Sequence, residues 1–254
     1  MPKVQFQGRV LPPEANVTVG HRPRLFWEEK AFDLKMEITS NITNSIVEVD
    51  MELNRYDRTI LSELRMRALD ICRASVNLIA LAKGFGLSVT LDSMTEPDGT
   101  KLSPITIYNP ELEKLITSFQ LDSSFDEIHL VVLQDAHLML ILNDLISGLV
   151  MSHTAPISCG RALDGLKNHL SPAGIKEPQA WAALRNAINA DEAYFKYVTE
   201  RAKNPRHGKI PVIPLSEYQE IMSRSWTIID RYFEYKKRGE TKPLPIGEFP
   251  LLAG

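Results

Sequence analysis

Cysteine is nearly missing from this chain: Cys72 and Cys159 are the only two among 254 residues. Their spacing matches no paired-ligand zinc pattern, and a chain of this length needs no disulfide framework, so both read as reduced thiols. Aromatic residues make up only 7% of the sequence. Neither sign of charge dominates, since 29 basic residues face 32 acidic ones, the net charge is -3 and the pI is near 6.1. That balance supplies no general field for phosphate backbones or anionic membranes, so nucleic acid is neither favoured nor excluded. The N-terminus, Met1-Pro2-Lys3 and onward, lacks an apolar core of signal-peptide length, and the expected location is the cytoplasm. The most lipid-like stretch, Ile128 to Val150, is interrupted by Gln134, Asp135, His137, Asn143 and Asp144. Charges of that kind are costly in a bilayer, so the stretch reads as a core helix and no membrane partner is expected.

Several catalytic signatures are absent as well. No phosphate-binding loop, nucleophile elbow or His-Glu-x-x-His motif occurs, which removes support for several large enzyme classes. Gly84-Phe85-Gly86 follows a helical pattern and precedes a strand pattern. That is the reverse of the dinucleotide-binding order, so a helix C-cap accounts for it. His137 and Asp144 share a helix face but stand about 10 Å apart along the axis, too far to hold one metal without a third group. Neither a metal nor a cofactor is expected.

What remains is an ordinary globular composition, 44% apolar and 24% charged, enough for a packed core. Phe32, Leu34, Met36 and Ile38 alternate with polar residues, as do Val47, Val49, Met51 and Leu53. The Asn- and Ser-rich segment between them predicts a hairpin. From about Tyr56 to Lys83 apolar residues recur at three and four, ending at Gly84, which predicts one long helix against the sheet. Leu87, Val89 and Leu91, the Pro97-Asp98-Gly99 turn, and Ile105 with Ile107 predict a second hairpin.

Beyond about residue 120 the pattern becomes helical. Ser124 with Glu127 forms a capping-box sequence ahead of one helix running to Val150. A second helix starts near Pro156 with Thr154 as cap, a third runs from Pro178 to Asn204 with Pro205 as its stop, and a fourth opens with Ser216 and Gln219 as a capping box. The expected fold is α+β: an N-terminal antiparallel β-rich layer with one long helix over residues 1–120, then an antiparallel helical bundle over 121–238. The Pro- and Gly-rich tail 239–254 is expected to be poorly ordered or draped on the surface.

One stretch concentrates chemistry. Thr199-Glu200-Arg201-Ala202-Lys203-Asn204-Pro205-Arg206-His207-Gly208 places cations and an imidazole where a helix gives way to a loop. Arginine can stabilise a phosphoryl transition state while histidine moves a proton. Lys203, Arg206 and Lys209 are candidate RNA contacts, and Lys196 would add phosphate affinity. The same stretch also reads as a helix C-terminus, with Arg201 and Lys203 complementing the dipole and Asn204 as cap.

With Cys159-Gly160-Arg161-Ala162-Leu163-Asp164-Gly165-Leu166 on one helix and Arg201 followed by His207 after another, residues 122–238 resemble the HEPN superfamily of small helical bundles. Many of its members are RNases of toxin–antitoxin and phage-defence systems, usually dimeric, carrying an Arg, four to six residues, then His. This resemblance implies a metal-independent RNase with Arg201 and His207 as catalytic residues. Two departures stand out: Ala202 replaces the polar residue that active members often carry after the Arg, and Pro205 falls inside the motif. Two functions therefore stay open, a non-catalytic binding or regulatory protein, which is the leading expectation, and the RNase. Partners are expected to be RNA or protein, together with self-association.

Overall fold

Val4, Phe6 and Val10 alternate with polar residues along Lys3–Leu11 and form strand β1, whose apolar face is buried to 2% exposure or less. In the computed structural model, which describes residues 1–20, 24–102, 117–119, 123–171, 174–207 and 213–254, β1 lies inside a six-stranded sheet. The other strands are β2 (Arg24–Glu29), β3 (Leu34–Thr43), β4 (Ile46–Leu53), β5 (Ser88–Thr95) and β6 (Lys101–Leu102), and the order is β2-β3-β4-β1-β5-β6. All pairings are antiparallel, with Phe6 opposite Val49 and Ile38 opposite Met51.

The predicted β3–β4 hairpin is present and tighter than expected. Strand β3 continues to Thr43, leaving a two-residue turn in which Asn44 and Ser45 both have positive φ, 51° and 64°. A turn of that hand matches the twist of the flanking strands. The long helix α1 (Leu61–Lys83) buries Leu64, Leu69, Cys72 and Val76, and ends at Gly84, whose φ of 67° is left-handed as a C-cap requires. Strand β5 and the turn at Gly99 follow the predicted second hairpin, and its return strand is β6. Ile105 and Ile107 lie outside the described residues. At a register shift between β1 and β5, Gly8 lies so close to its neighbour that an added Cβ would stand 1.9 Å from the Thr90 carbonyl oxygen. Only a glycine fits there.

The chain divides into two units at Tyr108/Asn109, ahead of the expected boundary near 120. The second unit contains six helices among the described residues where the sequence suggested four. They are α2 (Ser123–Leu133), α3 (Ala136–Val150), α4 (Ala155–Leu170), α5 (Glu177–Ala187), α6 (Glu192–Arg206) and α7 (Leu215–Lys237). The chain is thus an α+β protein, with an antiparallel sheet in one unit and a helical bundle in the other.

Two expected helices are each broken in two. Between α2 and α3 the axis turns by 111°, because the Asp135 carboxylate accepts from the backbone N–H groups of His137 (2.9 Å) and Leu138 (3.4 Å) and so starts a new helix. Between α5 and α6 the chain bends at Asn189, which has a φ of 53°, and Asp191 caps α6 through the Tyr194 N–H at 2.7 Å. Helix α6 also passes the predicted stop, since Pro205 sits inside its last turn. Missing one donor near a helix end leaves most of the ladder intact. The Ser216–Gln219 box is not the start of α7: the N-cap is Pro214 and no side chain caps it, so Ser216 lies within the first turn. Thr154 makes no side-chain cap either, and its hydroxyl donates to the Met151 carbonyl at 3.0 Å instead. The Ser124 side chain lies outside the described residues.

The tail is tied to the bundle. The Leu244 and Leu252 N–H groups donate to the carbonyls of Ala187 and Asn189, both at 2.9 Å, while the Asn189 amide donates to the carbonyls of Leu244 and Phe249 at 2.6 and 3.0 Å. No single helix among the described residues is long and apolar enough to cross a membrane. The segments Phe125–Leu133 and Ala136–Val150 reach that length and apolarity only jointly, across the 111° bend.

Candidate functional site

Arg201 and His207 both belong to α6, His207 as its C-cap. Six residues apart on one helix, they differ by about 9 Å along the axis and about 120° around it, so they do not converge within one chain. Arg201 is committed to its own fold. Its Nε donates to Glu217 at 2.7 Å, its Nη1 to the Tyr197 carbonyl at 3.0 Å, and its guanidinium lies 3.6 Å from the centre of the Tyr197 ring. His207 is exposed. Arg206 pairs with Asp164 of α4 at 2.8 Å. Lys203 is exposed, and Lys209 lies outside the described residues.

Ala202, where active HEPN members often carry a polar residue, is fully buried against α4. A Cβ added to Gly160 would stand 2.5 Å from the Ala202 Cβ and 2.8 Å from the Arg206 guanidinium. The close approach of the two helices therefore requires small residues on both, and a larger polar group at 202 would force them apart.

Between α4, α5 and α6 lies a groove of about 290 Å³ that includes Lys203 and Arg206. Its four basic side chains, with Arg185 and Lys196 completing the set, are matched by four acidic ones: Asp164, Glu177, Glu192 and Glu200. Most are paired, Arg206 with Asp164 at 2.8 Å and Arg185 with Glu192 at 3.6 Å between helices, and Lys196 with Glu192 at 2.6 Å along α6. A groove so balanced has no net attraction for a polyanion. The nearby aromatic rings are occupied as well. Arg224 covers Tyr194 and Tyr197 at 4.6 and 4.4 Å, and Lys167 stands over Trp181 at 5.0 Å.

A different cluster brings titratable groups into direct contact. The Asp135 Oδ2 and the His169 Nε2 lie 2.5 Å apart, and the His169 Nδ1 lies 2.6 Å from the Tyr232 hydroxyl. The His137 ring stands 5.9 Å from that of His169. These side chains come from the α2–α3 corner, the last turn of α4 and the C-terminal half of α7. Burial would raise the Asp135 pKa, but hydrogen bonds from His169 and from the His137 N–H, with the imidazole charge, hold it below the usual carboxylate value. Burial pushes the Tyr232 hydroxyl pKa upward. Tyr232 has no exposed surface, while the His169 and Asp135 side chains are 13% and 25% exposed, and the hydrogen-bonded chain ties three helices together. The partners of His169 lie 34 and 63 residues away in sequence, and no local spacing signals them.

His137 and Asp144 do not form a site. Asp144 pairs with Arg161 at 3.3 Å, and among the described residues no cluster of His, Cys, Asp or Glu could hold a metal ion. Cys72 and Cys159 are both buried and unpaired, and burial raises each thiol pKa to about 12.

These features define an α+β protein with a sheet unit and a helical unit. Residues 4–103 match the model of the DUF8168 N-terminal domain, and residues 125–237 match that of its C-terminal domain; both are described only as domains of unknown function. The two matches together span most of the chain, which therefore belongs to this family. No curated protein and no solved structure matches the chain.

Proposed function

We propose that this protein is a non-catalytic binding or regulatory protein of the cytoplasm, acting by contact with another protein. The observation that carries this reading is the state of Arg201, held by Glu217 and Tyr197 and set about 120° around the helix from His207. An arginine whose Nε–H and one Nη1–H are already given to Glu217 and to the Tyr197 carbonyl is a structural tie, and a transition-state clamp needs donors aimed at developing charge. The contact reading draws support from α2 and α3, where Leu130, Leu133 and Leu140 are 57%, 53% and 64% exposed and so offer apolar area to a partner. The buried, unpaired thiols accord with a reducing compartment.

The test is incubation of mixed cellular RNA with the purified full chain in EDTA, beside the His207→Ala variant. The expected outcome is intact RNA with both proteins. Cleavage by the natural chain that disappears in the variant would overturn the reading and establish the HEPN-type RNase.

A further inference from the structure

Strand β2 is the long edge of the sheet, its only strand neighbour among the described residues being β3. Its sequence is Arg24-Leu25-Phe26-Trp27-Glu28-Glu29, and Leu25, Phe26 and Trp27 are 38%, 75% and 42% exposed. The opposite edge, β6, has two residues. An edge strand presents a row of backbone donors and acceptors to solvent, and proteins usually blunt long edges with a central lysine, a proline or a bulge. Strand β2 has none of these; its charges sit toward its ends.

We infer that β2 pairs with β2 of a second copy, antiparallel about a two-fold axis through Phe26, joining two six-stranded sheets into one. The inference is independent of which partner the helical unit binds. Opposite residues of an antiparallel pair point to the same face, and a two-fold axis makes every contact occur twice. With Phe26 opposite its own copy, Arg24 stands opposite Glu28 of the second copy, and Leu25 opposite its Trp27. Both faces then gain complementary neighbours. Leu25 and Trp27 lie beside Ile38 and Met36 on the α1 side, while Phe26 lies beside Glu37 on the open side. Apolar residues that one copy leaves exposed on both faces are covered, and opposite charges meet at both ends of the pair.

Arg24 and Glu28 remain available for this. The Arg24 Nε bonds Glu37 at 2.7 Å while its side chain is 69% exposed, leaving guanidinium donors unused. Glu28 lies 3.7 Å from Lys35 and is 53% exposed. A shift of two residues would place Phe26 opposite Glu28 and lose the charge match, so charge selects the register.

The experiment is light scattering of the full chain during size-exclusion chromatography, with Arg24→Glu and Glu28→Arg alone and mixed. The natural chain is expected to be a dimer. Each variant sets like charges opposite each other twice and should dimerise at least about tenfold more weakly. The first variant carries a carboxylate at both positions and the second a guanidinium at both. Opposite charges therefore meet again in their equimolar mixture, which should restore the dimer. Phe26→Lys, at the most exposed position, should weaken the dimer in every mixture, and far-UV circular dichroism checks that each variant is folded. A monomeric natural chain, a dimer insensitive to all three substitutions, or a mixture that fails to restore it would overturn the inference. A monomer that instead takes up an extended peptide on β2 would assign the edge to another protein.

Discussion

The sheet unit and the helical unit both bury aliphatic cores, but they handle buried polar groups differently. In the sheet unit Glu96 accepts two bonds from Arg58, at 2.9 and 2.7 Å, and one from Tyr56 at 2.6 Å. Glu29 is held by Arg67 at 2.8 Å, and that guanidinium also covers Trp27 at 4.6 Å. These clamps sit at the border of an apolar core. In the helical unit the polar ties join helix to helix or to a connecting segment: His169 joins Asp135 to Tyr232, and Arg231 reaches the carbonyls of Ile188 and Asn189 at 3.1 and 3.2 Å. Strands satisfy their backbone groups on one another, so pairing itself sets register, and side chains need only seal the layer. Helices satisfy theirs internally. Contacts between side chains, or from side chain to a neighbouring backbone, must then decide how one helix lies against the next.

The largest effect that would break this comparison is expected at Gly8. Gly8→Ala drives a methyl into the Thr90 carbonyl and should destabilise the sheet unit by about 4 kcal/mol. Hydrogen exchange read by mass spectrometry should show lost protection across β1 and β5 while the helical peptides keep theirs. Equal loss in both units would mean that they unfold as one.

Removing the helical tie comes next. His169→Ala leaves the buried Tyr232 hydroxyl without its partner and should cost about 3 kcal/mol in urea unfolding, whereas Tyr232→Phe should cost about 1 kcal/mol. Indistinguishable losses would show that packing, not the hydrogen-bonded chain, supplies the stabilisation.

The smallest effect concerns acid. The Arg58 and Tyr56 hydrogen bonds hold the Glu96 pKa below its usual value. A carboxylate with a depressed folded-state pKa adds stability that is complete above its unfolded value and disappears as pH falls through the folded one. Glu96→Gln should therefore flatten the acid limb of the sheet unit's stability, measured as denaturant midpoints between neutral and acidic pH. An unchanged limb would place the acid sensitivity elsewhere.

Much of the architecture was readable in the residues. Alternation in Leu34–Thr43 and Ile46–Leu53, the turn at Asn44-Ser45, and the helix ending at Gly84 are local patterns with local causes. Strand β1 is less legible, because glutamines, a glycine and an arginine dilute the alternation of Val4, Phe6 and Val10, and its partners β4 and β5 lie far along the chain. The helix breaks were masked in the same way. Apolar periodicity continues on both sides of Asp135, and nothing nearby shows that its carboxylate turns inward to a cap and to His169.

Composition and periodicity alone determined that this chain folds as a β-rich half followed by a helical half, since strand and helix periods are properties of neighbouring residues. Tertiary structure decided the rest. It bound Arg201 to Glu217, placed Ala202 against Gly160, joined Asp135, His169 and Tyr232, and left β2 at the edge of the sheet. Each of these depends on residues far apart in sequence, whose meeting follows only from how the elements pack.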